Sequence, residues 1–147
     1  MILSNNLLLS DDQAITASIE STNAIDLGVA GTPHGAVAPL NNDKGKGAMV
    51  PLLIQVTEDF NNLTSLTVAI KNRAGEGATG ATAGVVLSQV ITLANLKAGK
   101  QTAMCYVPKG VSLRYLALHY VVTGTAPSTG KITASVAMGI QTNVTGA

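Results

Sequence analysis

An all-β sandwich of about eight strands is the fold this 147-residue chain predicts, and three observations carry it. Alternation of apolar and polar side chains with period two recurs along the chain, whereas sustained helical periodicity does not. Clusters of Gly, Pro, Ser, Thr and Asn separate the alternating runs at short intervals. The chain is 46% hydrophobic but only 3% aromatic and has no Trp, so its core must be built from Val, Ile, Leu and Ala, the side chains that suit a pleated, half-buried surface.

Taken in order, Gln13 to Ile19 alternates Ala14, Thr16 and Ser18 against Ile15, Ala17 and Ile19, and a short second piece, Asn23 to Leu27, stops at Gly28. Residues 29–47 hold Gly31, Pro33, Gly35, Pro39, Gly45 and Gly47, which predicts a long loop; such loops in compact domains are either mobile or docked on something. Val50 to Thr57 places Leu52, Ile54 and Val56 on one face, with Pro51 near the strand start or on an edge. Ser65 to Lys71 points Leu66, Val68 and Ile70 inward, after a turn or a single helical turn at EDFNNLT. Val85 to Leu93, Gln101 to Val107, Arg114 to Val122 and Lys131 to Met138 complete the set. In Arg114 to Val122, Leu116, Leu118, Tyr120 and Val122 line one side and Tyr115, Ala117, His119 and Val121 the other, and both sides are largely apolar. Eight short strands favour a jelly-roll-like sandwich over an immunoglobulin-like one. The organisation predicted is an N-terminal arm or first strand at 1–12 and a single domain at 13–147.

Charged residues make up 12% of the chain, about half the usual share, and the net charge is +1. An exterior so poor in charge suits a subunit that spends its life packed against others. No Lys/Arg cluster is present to release counterions from phosphates, so nucleic acid is not an expected partner. No run approaches the ~18 apolar residues of a membrane helix, and MILSNNLLLSDD lacks the basic segment of an export signal, so synthesis in the cytoplasm is expected.

Reactive groups are sparse. Gly75, Gly77 and Gly80 spell G-x-G-x-x-G, but VVLSQVITL after them reads as a strand where a dinucleotide site needs a helix N-terminus, so a hairpin loop is expected. Cys105 has no motif tying it to His34 or His119, and two histidines far apart cannot complete the ligand set of a jelly-roll metal enzyme. Asp11 with Asp12, Glu58 with Asp59 and Asn41 with Asp43 match no calcium loop. The expectation is a protein without catalytic residues, cofactor or metal.

The segments LLLSDDQAITASIESTNAIDLG, VPLLIQVTEDF, NLKAGK, PKG and RYLALHYVVTGTAPSTGKITASV follow one another in an order that resembles the small capsid cement, or decoration, proteins of tailed bacteriophages. The resemblance runs from about Asn6 to Val136 and rests on strand and turn words such as STNAIDLG, RYLALHYVVTGT and TGKITA. Residues 28–47 and 73–84 depart from it. The resemblance implies a jelly roll that binds the outside of the major capsid protein shell, bridges neighbouring subunits, self-associates as a dimer or trimer, and ends on the virion surface. Under it, the apolar segment Ile2, Leu3, Leu7, Leu8 and Leu9 is one candidate contact, or else a first strand packed on its own sheet. The face of Tyr115, Ala117 and His119 is a second candidate contact. The rival reading is a carbohydrate-binding or adhesive jelly-roll module displayed on a virion, which would need aromatic platforms that one Phe and three Tyr hardly supply.

Overall fold

The computed structural model describes residues 3–40, 42–43, 47–76 and 84–139. Among them the chain is all-β: eight strands in two sheets, two short 3-10 turns at Asn5–Leu7 and Leu93–Asn95, and no α-helix. The strands are β1 (Leu8–Ala14), β2 (Ile19–Glu20), β3 (Ile25–Asp26), β4 (Leu52–Glu58), β5 (Leu63–Arg73), β6 (Val85–Thr92), β7 (Tyr115–Gly124) and β8 (Lys131–Val136). One sheet runs β1-β8-β4, the other β2-β7-β5-β6 with β3 also paired to β7, and every pairing is antiparallel.

Residues 101–107 lie along the outer side of β4, held by Leu52 N–H to the Cys105 carbonyl (2.9 Å) and Thr102 N–H to the Ile54 carbonyl (3.0 Å). With that segment counted, successive strands alternate between the sheets except at β2–β3, which both pair with β7, and at the β5–β6 hairpin. This is the wrapping of a jelly roll.

The faces follow from the side-chain period of two. Leu66, Val68 and Ile70 of β5 oppose Val122, Tyr120 and Leu118 of β7, and Ile54 and Val56 of β4 oppose Ala134 and Ile132 of β8. These inward faces merge into one aliphatic core with Leu9, Leu52, Leu96, Leu116 and Phe60. Besides Phe60 the core holds Tyr120, whose hydroxyl hydrogen-bonds Ser10 Oγ at 2.8 Å, and burial pushes the phenol pKa upward.

Two predicted strands are corrected. Gln13 to Ile19 is not a strand: β1 ends at Ala14, Ile15 turns into the core, a bend follows, and Ile19 opens β2 while 46% exposed. The true first strand starts at Leu8, so a boundary at 12/13 would fall inside β1. Its alternation was hidden because register shifts on both sides of Ser10 break the period, and Asp12 takes a left-handed conformation (φ 44°) while its N–H donates to Thr133 Oγ1. Gln101 to Val107 forms only two isolated bridges, Gln55 to Gln101 and Pro51 to Tyr106. One extra residue lies between those bridges on the 101–107 side, and Pro51 has no N–H to give, so a continuous ladder cannot form. The segment EDFNNLT is a turn, closed by Asn62 at φ 63°.

Candidate functional site

Three features of the surface stand out, and the first is a strap. No Asp, Glu, Lys or Arg occurs between Asp26 and Asp43. Residues 29–40 are all exposed, among them Val29, Val37 and Leu40 at 77, 104 and 63% of their full area. The strap is nonetheless organised. Leu40 N–H donates to the Gly31 carbonyl (2.9 Å), Ala36 N–H to the Pro33 carbonyl (3.0 Å), and the Asn42 amide to the Gly28 carbonyl (2.8 Å).

Its root is fixed by Asp26 at the end of β3. Arg114 Nε and NH2 reach both Asp26 oxygens at 2.8 and 2.7 Å, and Gly28 N–H donates to Oδ1 at 2.8 Å. The Arg114 guanidinium, followed by the Gly28 amide, holds the Asp26 pKa down at about 2. Gly28 permits the sharp departure because its φ is +83°.

Beside that root lies the second feature, a cleft of about 220 Å³ between the sheets, walled by Leu7, Ile25, Leu27, Val50, Val107, Leu116 and Val136, with Asn42 as a polar wall. It cannot bind by charge. It can accept an aliphatic side chain.

The third feature is the outer face of the β2-β7-β5-β6 sheet. Ala69 and Ala117 are small, and the long side chains of Glu20, Lys71 and Arg73 close over this face, leaving Ala117 and Lys71 at zero exposure. Glu20 accepts from Lys71 Nζ at 2.6 Å through Oε1 and from Arg73 through Oε2. His119, opposite Glu20 on β7, is buried with no hydrogen-bond partner at Nδ1 among the described residues. Burial, and then the Lys71 charge, lower its pKa, with Glu20 opposing.

The residues singled out from the sequence are thereby dispersed. Ile2 lies outside the described residues. Leu3 and Leu8 are half-buried, Leu9 is wholly inside the core, and Leu7 alone of that group lines the cleft. Tyr115 is half-buried with the Arg114 guanidinium 5.1 Å from its ring centre. Ala117 and His119 lie beneath the chain's own ion pairs, so the dryness of that face comes from within the molecule. Cys105 stands beside β4, His119 on the far side of the other sheet and His34 on the strap, and the three are not brought together. Gly75 follows β5, Gly77 and Gly80 lie outside the described residues, and β5 and β6 on either side pair antiparallel as a hairpin. Missed from sequence were the walls of the cleft, which come from separate segments. The strap residues did carry a signal, namely apolar side chains in a stretch without charge.

The model of the Bbp16 family matches residues 9–136, from Leu9 at the core to Val136 at the end of β8. The chain belongs to the Bbp16 family. No curated protein matches it. The Bbp16 match takes in both sheets, the strap and every wall of the cleft except Leu7.

Proposed function

We propose that this Bbp16-family chain is a capsid cement protein of a tailed bacteriophage, which binds the outside of the major capsid protein shell and bridges neighbouring subunits. The observation that carries this reading is the strap: a charge-free loop, ordered by its own hydrogen bonds, that holds Val29, Val37 and Leu40 out in water. Exposed apolar groups gathered on one organised feature mark a protein contact. The cement-protein resemblance of the strand and turn segments supplies the partner.

Strap and cleft together give two contact points on one rigid body. Linking two contacts makes the second intramolecular and raises avidity by about 10² to 10⁴ when the geometry allows. A subunit that binds only the assembled shell also stabilises it by mass action. Self-association would multiply the bridges, and synthesis in the host cytoplasm would precede addition to the outer surface. The carbohydrate-binding alternative is disfavoured because Phe60 and Tyr120 are in the core and Arg114 covers Tyr115.

Purified expanded shells incubated with the protein should gain it at stoichiometric occupancy and resist heat better. The variant carrying Val37→Asp and Leu40→Asp should keep its fold, because both positions are exposed, and lose at least about tenfold in affinity, since two buried apolar side chains contribute ~1.5–3 kcal/mol each. Shells that neither bind the wild-type protein nor gain heat resistance would refute the cement reading; unchanged binding of the variant would remove the strap from it.

A further inference from the structure

Two clefts of unlike chemistry open toward opposite ends of β4. Val50, just before the strand, walls the apolar cleft beside the strap, whereas Val56, about 20 Å farther along the extended chain, walls a second cleft of about 300 Å³. Buried Val56 and Ile91 form the floor of this second cleft. Its polar walls are Gln89, Asn95, Lys100 and Gln101, and no Asp or Glu lines it.

Lys100 is set on the rim by its backbone. Gly99 N–H donates to the Val56 carbonyl (2.8 Å), Val56 N–H to the Lys100 carbonyl (2.9 Å), and Lys100 N–H to the Lys97 carbonyl (3.0 Å), with Gly99 at φ +84° to make the turn. Among the described residues Lys71, Arg73, Lys97, Arg114 and Lys131 each form an ion pair with a carboxylate, while Lys100 and Lys109 form none. Gln89 is also fixed. Its Oε1 accepts from Met104 N–H at 3.0 Å, which leaves the amide Nε2 as a donor. A cation and an amide donor, set above an aliphatic floor with no acidic group of the chain's own, match a carboxylate on a short aliphatic stem.

We infer that this cleft receives a glutamate or aspartate side chain of the capsid protein, an assignment that rests on the cement reading and supplies it with a second, charged grip. An apolar contact at one end of β4 and an ionic one toward the other must both be matched by a shell surface, which makes the pair selective. An ion pair at the rim of an interface adds little affinity and governs association rate and salt dependence instead.

Binding to purified shells in rising salt tests it. Between about 0.1 and 1 M salt the screening length falls from ~10 to ~3 Å, and wild-type affinity should fall with it. Lys100→Gln, at an exposed position, should keep the far-ultraviolet circular dichroism of the parent, bind about two- to fivefold more weakly at low salt, and become nearly indifferent to salt. Gln89→Glu keeps an acceptor for Met104 N–H and offers Lys100 a carboxylate from within the chain, so it should show the same loss. Lys109→Gln removes the other unpaired cation, which stands between Val107 and Val111 of the apolar cleft, and should bind like wild type. Wild-type protein that does not bind shells refutes the cement reading and this assignment with it. Shell binding that persists equally in Lys100→Gln and Gln89→Glu at low salt overturns the charged cleft alone. So does an equal loss in Lys109→Gln, which would mean diffuse attraction in place of a site.

Discussion

Lys71 Nζ and Glu20 Oε1 stand 2.6 Å apart on the outside of a β-sheet, yet the lysine side chain has no exposure to water. Glu20 holds Arg73 with its second oxygen, so one carboxylate serves two cations. Removing one member of a buried pair costs ~3–5 kcal/mol when it leaves the other charge uncompensated, and less when that charge keeps a second ionic partner. Glu20→Gln should therefore destabilise the chain by about 3 kcal/mol. Lys71→Met, which leaves Glu20 bonded to Arg73, should cost less than Glu20→Gln does. Urea unfolding of both variants compares the two; equal losses would show that the carboxylate is not the shared element.

The Ser10 and Tyr120 hydroxyls form a second buried polar contact, and its two partners are not equivalent. Ser10 Oγ also donates to Gln13 Oε1 at 2.7 Å, so it keeps a partner when the tyrosine hydroxyl is removed. Tyr120→Phe should cost ~0.5–1.5 kcal/mol, and Ser10→Ala about 1–3 kcal/mol, because the latter strands a phenol in an aliphatic core. Thermal melts of the two variants should rank them in that order.

Asp26 anchors the strap from outside the core, so its loss should appear locally. Asp26→Ala removes the acceptor for Arg114 and Gly28 together. Limited proteolysis within residues 29–40 should become faster and shell affinity should fall, while the global melting temperature stays nearly constant. A large fall in melting temperature with unchanged proteolysis would place the role of Asp26 in the fold.

What was readable in the sequence follows the regularity of the backbone. β4, β5 and β8 were legible because alternate apolar residues of each lie on the core, and the two sides of β7 were separated residue by residue. β1 was not, since two register shifts and adjacent aspartates disguise a strand as a polar linker. The 101–107 segment failed in the opposite sense: it keeps a strand's composition but is offset by an extra residue against Pro51. The cleft is assembled from side chains remote in sequence, which period and composition do not register. The face of Ala117 and His119 was recognised as dry, but its cover is Glu20, Lys71 and Arg73, charged residues whose spacing gives no hint that they converge.

His119 makes stability depend on pH. Its folded-state pKa is lowered, first by burial and then by Lys71, with Arg73 also in the charged cluster and Glu20 opposing. The unfolded chain, whose histidine has a pKa near ~6.5, takes up the proton first, so stability is complete above that value and declines as pH falls toward the folded-state pKa. Urea midpoints should be lower at pH 5.5 than at pH 7.5 (~one unit either side of the free histidine value). His119→Gln should shrink that difference, and His34→Gln, on the exposed strap, serves as the control. An undiminished pH dependence in His119→Gln would assign it to other groups.

Gly130 closes the turn between β7 and β8 at φ +130°, directly against the ring of Phe60. A Cβ placed there would come within 2.3 Å of Phe60 Cδ1. The ring is 3% exposed and cannot swing into solvent, and the turn around it is stitched by Asn61 Oδ1, which accepts from Ser128 N–H (2.9 Å) and Thr129 N–H (3.2 Å). Overpacking of this kind costs ~1–3 kcal/mol, and a side chain at positive φ adds ~1–2 kcal/mol. Gly130→Ala should therefore lose about 2–5 kcal/mol. Much of the steric part should return in Gly130→Ala combined with Phe60→Leu, which shortens the obstructing group while the backbone strain remains. Denaturant unfolding of the single and double variants separates the two contributions, and a Gly130→Ala protein as stable as its parent would show that the turn relaxes away from Phe60 at no cost.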